Sequence, residues 1–321
     1  MRFLDVAEQG GGYVAQVRET ETPVAGPGEV LIRVAASGVN RADLAQIAGR
    51  YPAPPGESTI LGLEVSGTIE ESGAAVCALL AGGGHAQYAA APVGQVFPAP
   101  AVPQVDLVSA AGIPEAFLTA FVTLVIEAGL RPGRTVLVHA GASGVGLAAI
   151  QLAKFLGARV VATTRSREKL PALERAGADL TVHAPSVDVV TAIESRWGAG
   201  AVDVILDPIG AVTLAGDLAV LAVGGTVVFI ATMSGTRAEL DVAALMKRRG
   251  RIVGSTLRSR SRSEKAAIVA RFREEILPGF TSGQLSVTVD SMFPLERAAD
   301  AFQRMRADKN IGKMVIDWRG Q

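Results

Sequence analysis

Cysteine is nearly absent from this 321-residue sequence: Cys77 stands alone, which excludes an internal disulfide and any site built on several thiolates. Histidine is almost as scarce, and His85, His139 and His183 lie too far apart in sequence to suggest a ligand motif. Charge of one sign is not in excess either. The 31 Lys and Arg balance the 31 Asp and Glu, so overall charge directs the protein toward neither a polyanion nor an acidic membrane surface. Between Ser72 and Val105 there is no Asp, Glu, Lys or Arg. That stretch is long enough to span a bilayer, but Gly82, Gly83, Gly84, Pro92, Pro98, Pro100 and Pro103 would leave backbone groups unpaired in lipid, so it reads as buried strand and loop. The first residues carry no apolar core and no cleavage site of a secretory signal, and a cytoplasmic location is expected.

Length alone suggests two domains. The alternation Glu29-Val30-Leu31-Ile32-Arg33-Val34-Ala35-Ala36 predicts a half-buried strand with Val30, Ile32 and Val34 on one face. The first 110 or so residues read as strands punctuated by Gly and Pro, with no comparable helix. From Thr135 onward, apolar strands alternate with helical stretches, the pattern of right-handed βαβ crossovers and a parallel sheet. Six strands are expected, over 135–140, 159–163, 180–183, 202–207, 226–230 and 251–254. Beyond them the sequence predicts a helix over 264–276, a strand near 287–289, a helix over 295–305 and a strand over 313–316. The fold class is therefore α/β, a strand-rich domain beside a doubly wound parallel six-stranded sheet.

The first of those six strands runs into Gly141-Ala142-Ser143-Gly144-Val145-Gly146, followed by a helix over 147–156. Glycine at such a turn lets backbone approach a pyrophosphate, and the helix N-terminus offers free N–H groups with partial positive charge. The motif departs from G-x-G-x-x-G, so its weight comes from the strands around it. Where an NAD site places a carboxylate at the end of the second strand to hold the ribose 2′-OH, none occurs. The strand ends in Thr163-Thr164-Arg165-Ser166-Arg167-Glu168-Lys169, cations and hydroxyls suited to a 2′-phosphate, so NADPH is expected over NADH. The competing reading of these residues is a solvated helix start.

The sequence lacks the Cys and His set that holds a catalytic zinc, and it lacks the G-x-S-x-G elbow of serine hydrolases. Hydride transfer without a metal is easiest to an acceptor that is already electron-poor, a quinone or an enone, where the site mainly orients two reactants. No side chain stands out as a general acid, and the proton is assigned to solvent.

The sequence resembles the zeta-crystallin-like quinone oxidoreductases of the medium-chain dehydrogenase/reductase superfamily. The resemblance rests on Gly38 to Asp43, Tyr51 to Gly56, Ile60 to Gly67, His139 to Gly146, Gly254 to Arg260 and Asn310 to Lys313. The Thr256-Leu257-Arg258-Ser259-Arg260 run is similar to the branch containing the tumour-suppressor-inducible enzyme of animals. It implies a GroES-like catalytic domain over 1–115, completed by 256–321, a Rossmann domain over 116–255, an active site in the cleft and a homodimer or homotetramer. It further implies that Asn40, Gln46 and Tyr51 line the substrate side, and that Ser143, Gly144, Val145 and Gly146 hold the pyrophosphate. Thr164, Arg165, Ser166 and Lys169 would take the 2′-phosphate, and Thr119, Ala231, Met233, Leu257 and Asn310 the nicotinamide half. Gly62-Leu63-Glu64 stands where zinc-dependent relatives have Gly-His-Glu.

Two departures stand out. The stretch from Gly67 to Cys77 is shorter than the family norm by about ten residues, within the variability of surface loops, and Ala184 replaces an aromatic or imidazole side chain beside the adenosine phosphate, with His183 adjacent. Two alternatives remain: an enoyl or enone reductase of the same superfamily, and a non-catalytic NADPH-binding protein with an RNA-binding or crystallin-like structural role. For RNA the sequence offers eight basic residues against one acid between Lys247 and Lys265, but no aromatic rings for stacking, so a solvated or domain-bridging face is the expectation there.

Overall fold

A computed structural model describes residues 1–103 and 105–320 and divides the chain into two units, Met1–Leu118 with Leu257–Gln321, and Thr119–Thr256. The first unit begins with the hairpin β1 (Arg2–Gln9) and β2 (Gly12–Glu19). The alternation noted around Ile32 becomes β3 (Glu29–Val39), where Ile32 and Val34 are buried in the core and Val30 packs against it, while Arg33 points outward to Glu70. A helix the sequence pattern does not reveal follows directly: α1 (Arg41–Ile47). Seven residues are too few to display a helical period. Its start is fixed instead by Asp43, whose carboxylate accepts the Asn40 N–H at 2.7 Å.

Strand β4 (Glu64–Ile69) precedes the uncharged stretch, which holds the short strands β5 (Ala75–Leu79), β6 (Tyr88–Pro92) and β7 (Val96–Pro98) joined by loops and turns. The shortened stretch from Gly67 to Cys77 is a closed hairpin, in which the Gly73 N–H meets the Ile69 carbonyl at 2.8 Å and Thr68 pairs with Ala75. Helix α2 (Pro114–Phe121) carries the chain from the first unit to the second and continues as a wider π-helical coil over Val122–Glu127. The run Ser109–Glu127 is apolar and long enough to cross a membrane, but 72% of its most apolar window is buried inside the protein, as in a core helix.

The second unit alternates strand and helix throughout: β8 (Thr135–Val138), α3 (Gly144–Phe155), β9 (Arg159–Thr164), α4 (Leu170–Arg175), β10 (Leu180–His183), α5 (Val189–Trp197), β11 (Val202–Asp207), α6 (Leu214–Val220), β12 (Leu221–Phe229), α7 (Val242–Arg248) and β13 (Arg251–Gly254). All six strands are parallel, in the order β10-β9-β8-β11-β12-β13. This is the doubly wound Rossmann order, which reverses direction between β8 and β11 and so opens a crevice at their C-terminal ends. Strand β12 starts five residues earlier than its apolar run suggests, because Leu221 already pairs with Val202 before the ladder breaks and resumes at Thr226.

The chain then returns to the first unit as α8 (Arg262–Glu275), α9 (Leu277–Thr281), β14 (Val289–Pro294), α10 (Ala298–Arg306) and β15 (Lys313–Asp317). The strand expected near 287–289 begins only at Val289, since its neighbour β15 starts at Lys313 and the two run parallel from that pair. The sheet of this unit has the order β14-β15-β3-β4-β5-β7, with β6 also pairing β3. It is the GroES-like unit, and its core gathers Leu4, Ile32, Val34, Val65, Phe302, Ile316 and Trp318. The second unit closes its own core around Leu137, Val161, Ile205, Leu218 and Val227.

Candidate active site

Chemistry-bearing residues collect in two places, one in each unit. In the Rossmann unit, β8 ends at Ala140, held at φ +50°, a left-handed conformation that side-chain-bearing residues rarely adopt. That bend lets the Ser143 N–H reach the Ala140 carbonyl at 3.0 Å and the Gly141 N–H reach the Thr163 carbonyl at 2.8 Å. Ser143 then caps α3, its Oγ accepting the Gly146 N–H at 3.0 Å. A Cβ on Gly146 would sit 2.5 Å from the Ala140 oxygen and 2.7 Å from the Gly141 carbonyl carbon, so only glycine lets the turn close. By helix geometry the N–H groups of Gly144 and Val145 lack an intrahelical acceptor, and both residues are half-exposed. A closely approachable turn with two outward amides at a twelve-residue helix's N-terminus fits the pyrophosphate of a dinucleotide.

The end of β9 lies beside this turn. Thr164 is buried with its Oγ1 accepting the Ser166 N–H at 3.2 Å, Arg165 is exposed and Ser166 half-buried. Lys169 is only 8% exposed, in a single 3₁₀ turn over Arg167–Lys169, so a solvated helix start does not describe it. His183 braces the segment, one ring nitrogen 3.1 Å from the Arg165 carbonyl and the other 2.7 Å from Ser186 Oγ. At the ends of β11 and β12, Asp207 accepts the N–H groups of Ile209 and Gly210, while the Met233 N–H binds the Pro208 carbonyl at 3.2 Å. Ala231 and Met233 are exposed on that edge. Thr119 is half-buried in α2, its carbonyl accepting Thr123 Oγ1–H at 2.8 Å.

The GroES-like unit holds the second group. Glu64 and Lys313 are both buried, and the Lys313 ammonium donates to Glu64 Oε1 at 2.5 Å, Asn40 Oδ1 at 2.6 Å and the Val39 carbonyl at 3.2 Å. Asn40 in turn donates from Nδ2 to Glu64 Oε1 at 2.9 Å and to the Gly38 carbonyl at 3.2 Å. Gly38 must be glycine here, since a Cβ would lie 2.2 Å from Glu64 Oε1. The other carboxylate oxygen of Glu64 accepts the Glu115 N–H at 2.8 Å. Arg258, only 4% exposed, donates to the Ala81 carbonyl at 2.8 Å, the Tyr51 carbonyl at 3.0 Å and Gln46 Oε1 at 2.7 Å, and lies over the Tyr51 ring at 5.2 Å. Gln46 spends its remaining amide on the Thr59 carbonyl at 2.9 Å.

Burial raises the Tyr51 phenol above its ordinary range, with the Glu115 charge adding to that and Arg258 opposing it. Burial also pushes the Glu115 carboxyl up to about 8, helped by Glu64 and Asp43 and resisted by Lys313 and Arg258. Leu257 is buried and Asn310 half-buried in this same unit, the Asn310 amide donating to the Gly312 carbonyl at 2.9 Å. The residues expected to meet the nicotinamide half are thus divided: Thr119, Ala231 and Met233 belong to the Rossmann unit, Leu257 and Asn310 to the other.

The basic segment over 247–265 is not one solvated face. It is split between the units; Arg258 and Lys265 are buried, Arg248 is turned onto the Ala219 carbonyl, and Arg262 is paired with Glu29. Among the described residues no three His, Cys, Asp or Glu converge as metal ligands. His85 lies 2.8 Å from Ser37 Oγ, and His139 is buried between Thr163 and Asp217.

A GroES-like unit joined to a Rossmann unit defines the architecture of medium-chain dehydrogenases/reductases. Residues 26–101 match the alcohol dehydrogenase GroES-like domain and residues 144–273 the zinc-binding dehydrogenase domain. The human quinone oxidoreductase is 30% identical over 98% of this chain and 97% of its own length. Among solved structures, the quinone oxidoreductase from Thermus thermophilus, also determined with NADPH, superposes with a TM-score of 0.84 at 31% identity, over 99% of this chain and all of that one. An NAD-dependent alcohol dehydrogenase superposes equally well, TM-score 0.84 at 30% identity over 99% of both chains. The chain belongs to the quinone oxidoreductase family of that superfamily, and it is an oxidoreductase.

Three members of the second group, Glu64, Lys313 and Arg258, were present in the sequence motifs without an evident role. The signal was available: Glu64 and Lys313 each open a segment rich in small and apolar residues, where a charge that becomes buried requires a partner. Glu115 carried no such signal.

Proposed function

We propose that this protein is an NADPH-dependent reductase of quinones or similarly conjugated carbonyl compounds, acting without zinc. The observation that carries the reading is the cation-bearing end of β9, Thr164 to Lys169 with no carboxylate in the ribose position, bonded through Thr163 to the α3 turn. In this reading the half-exposed amides of Gly144 and Val145, with Ser143 and Gly146, hold the pyrophosphate, and Thr164, Arg165, Ser166 and Lys169 hold the 2′-phosphate. Thr119, Ala231, Met233, Leu257 and Asn310 take the nicotinamide half, and Asn40, Gln46 and Tyr51 the acceptor side. The nicotinamide supplies the hydride when bound; what the chain contributes is orientation.

The side chains divide that work unevenly. Asn40 and Gln46 are held by Glu64, Lys313, Arg258 and Thr59, so they fix the walls. The Tyr51 hydroxyl has no partner among the described residues and is free to donate to the acceptor's oxygen. Burial of Arg258 and Lys265, the pairing of Arg262 with Glu29 and the absence of aromatic rings from the segment favour this reading over RNA binding, which needs exposed cations and stacking rings. A cytoplasmic homodimer or homotetramer completes the proposal.

Calorimetric titration with NADPH and NADH, followed by stopped-flow oxidation of NADPH against a panel of quinones and enones, tests it. Tighter binding of NADPH and turnover with a quinone are expected. Turnover with enones alone selects the enone reductase, and no heat with either nucleotide overturns the reading altogether.

A further inference from the structure

Most polar groups of the cluster around Asn40 are committed to one another. The three ammonium protons of Lys313 go to Glu64, Asn40 and Val39, and the Arg258 guanidinium is turned toward Ala81, Tyr51 and Gln46. Glu115 is the exception. Its backbone N–H is pinned by Glu64 at the first turn of α2, while its carboxyl forms no hydrogen bond or ion pair among the described residues and is only half-buried. The Tyr51 hydroxyl is the second uncommitted group, and the phenol and the carboxyl lie close enough to perturb each other electrostatically. A carboxyl in that position faces Glu64 and Asp43, which disfavour its charge, and Lys313 and Arg258, which favour it but are engaged elsewhere. Lys265 of α8 also senses it, its own charge disfavoured by burial and supported by Glu57 and Glu115. The result is a carboxyl that keeps its proton at neutral pH, pushed up to about 8.

We propose that Glu115 is the general acid of the reductase, holding the proton that the acceptor's oxygen takes up while Tyr51 steadies that oxygen by hydrogen bonding. The inference rests on the quinone-reductase reading and replaces solvent as the immediate proton source. The balance is complete: a quinone gains two electrons and one hydrogen as hydride from NADPH, its oxygen then takes the Glu115 proton to give the hydroquinone, and the resulting Glu115 carboxylate is reprotonated from water. With an enone the same proton falls on the enolate.

The test compares wild type, Glu115→Gln and Glu115→Asp. Infrared titration of the protein without acceptor should show a protonated-carboxyl band that disappears as pH passes about 8 and is missing from Glu115→Gln. In steady-state NADPH oxidation, wild-type kcat should fall above that pH, whereas Glu115→Gln should lose kcat by about 10²-fold or more and lack that limb. Glu115→Asp should retain a displaced limb, which keeps the test valid if the Gln variant folds poorly. Unchanged NADPH affinity shows that the variants remain assembled. Wild-type kcat with the same pH limb in Glu115→Gln, or a titrating band that survives that substitution, overturns the role of Glu115 alone; absence of any wild-type turnover overturns the quinone-reductase reading beneath it.

Discussion

Lys313 holds Glu64 at 2.5 Å with the two side chains 5% and 0% exposed, an ion pair cut off from water at the start of β15 and β4, the two strands that flank β3. Such a pair stabilises little relative to an apolar replacement of both partners, because desolvation offsets the attraction. Its value here is geometric. It fixes Asn40, and through the Glu115 amide it fixes the start of α2.

Replacing Lys313 with Met should therefore cost about 3–5 kcal/mol of stability, since it strands a buried carboxylate. The double replacement Lys313→Met with Glu64→Leu should recover much of that while leaving Asn40 without two partners. Urea unfolding of the two variants gives the comparison; equal losses in both would mean that the pair is not what holds this region.

Arg165 is exposed at the end of β9. A charge-assisted hydrogen bond to a phosphate contributes about 1.5–3 kcal/mol, so Arg165→Ala should weaken NADPH by roughly tenfold to a hundredfold and NADH by little. Lys169→Ala is a poorer probe, because that side chain is buried and its loss also disturbs packing. Calorimetry with both nucleotides decides, and equal weakening of both would remove the case for 2′-phosphate recognition.

The Rossmann half was legible in the sequence because parallel strands buried on both faces read as plain apolar runs, and the strand-turn-helix at Ser143 has its own glycine requirement. The GroES-like half was legible only in part. Helix α1 escaped because seven residues show no period, and β14 was misplaced because its start is set by pairing with β15 rather than by its own composition. Glu115 escaped for a deeper reason: nothing local marks it, and its character arises from Glu64, Asp43, Lys313 and Arg258, of which even the nearest, Glu64, is 51 residues away in sequence.

The same carboxyl links stability to pH. Its ordinary value of 4.5 in an unfolded chain rises to about 8 when folded, so between those limits the folded state keeps a proton that the unfolded state has lost. The contribution of Glu115 is fully present below 4.5, declines as pH rises toward 8 and is flat beyond. The Glu115→Gln variant has no such proton to lose. Its stability relative to wild type should therefore improve steadily from about pH 5 to about pH 8, as measured by urea midpoints; a difference that does not change with pH would show that the carboxyl is already ionised in the folded state.

Arg258 offers the sharpest separation of charge from shape. Its guanidinium serves three acceptors on three different segments, Ala81, Tyr51 and Gln46, and stacks on the Tyr51 ring, a pattern that needs a planar fork. Lysine keeps the charge but cannot reach all three, so Arg258→Lys should leave the Tyr51 loop loosely held. If Tyr51 orients the acceptor, the expected result is a rise in KM for the quinone of about tenfold or more, with the NADPH dissociation constant unchanged. Arg258→Ala should add a stability loss of about 1–3 kcal/mol, because buried carbonyls are then left without donors. A lysine variant with wild-type KM would mean that the fork holds the fold alone and that the loop carrying Tyr51 plays no part in acceptor binding.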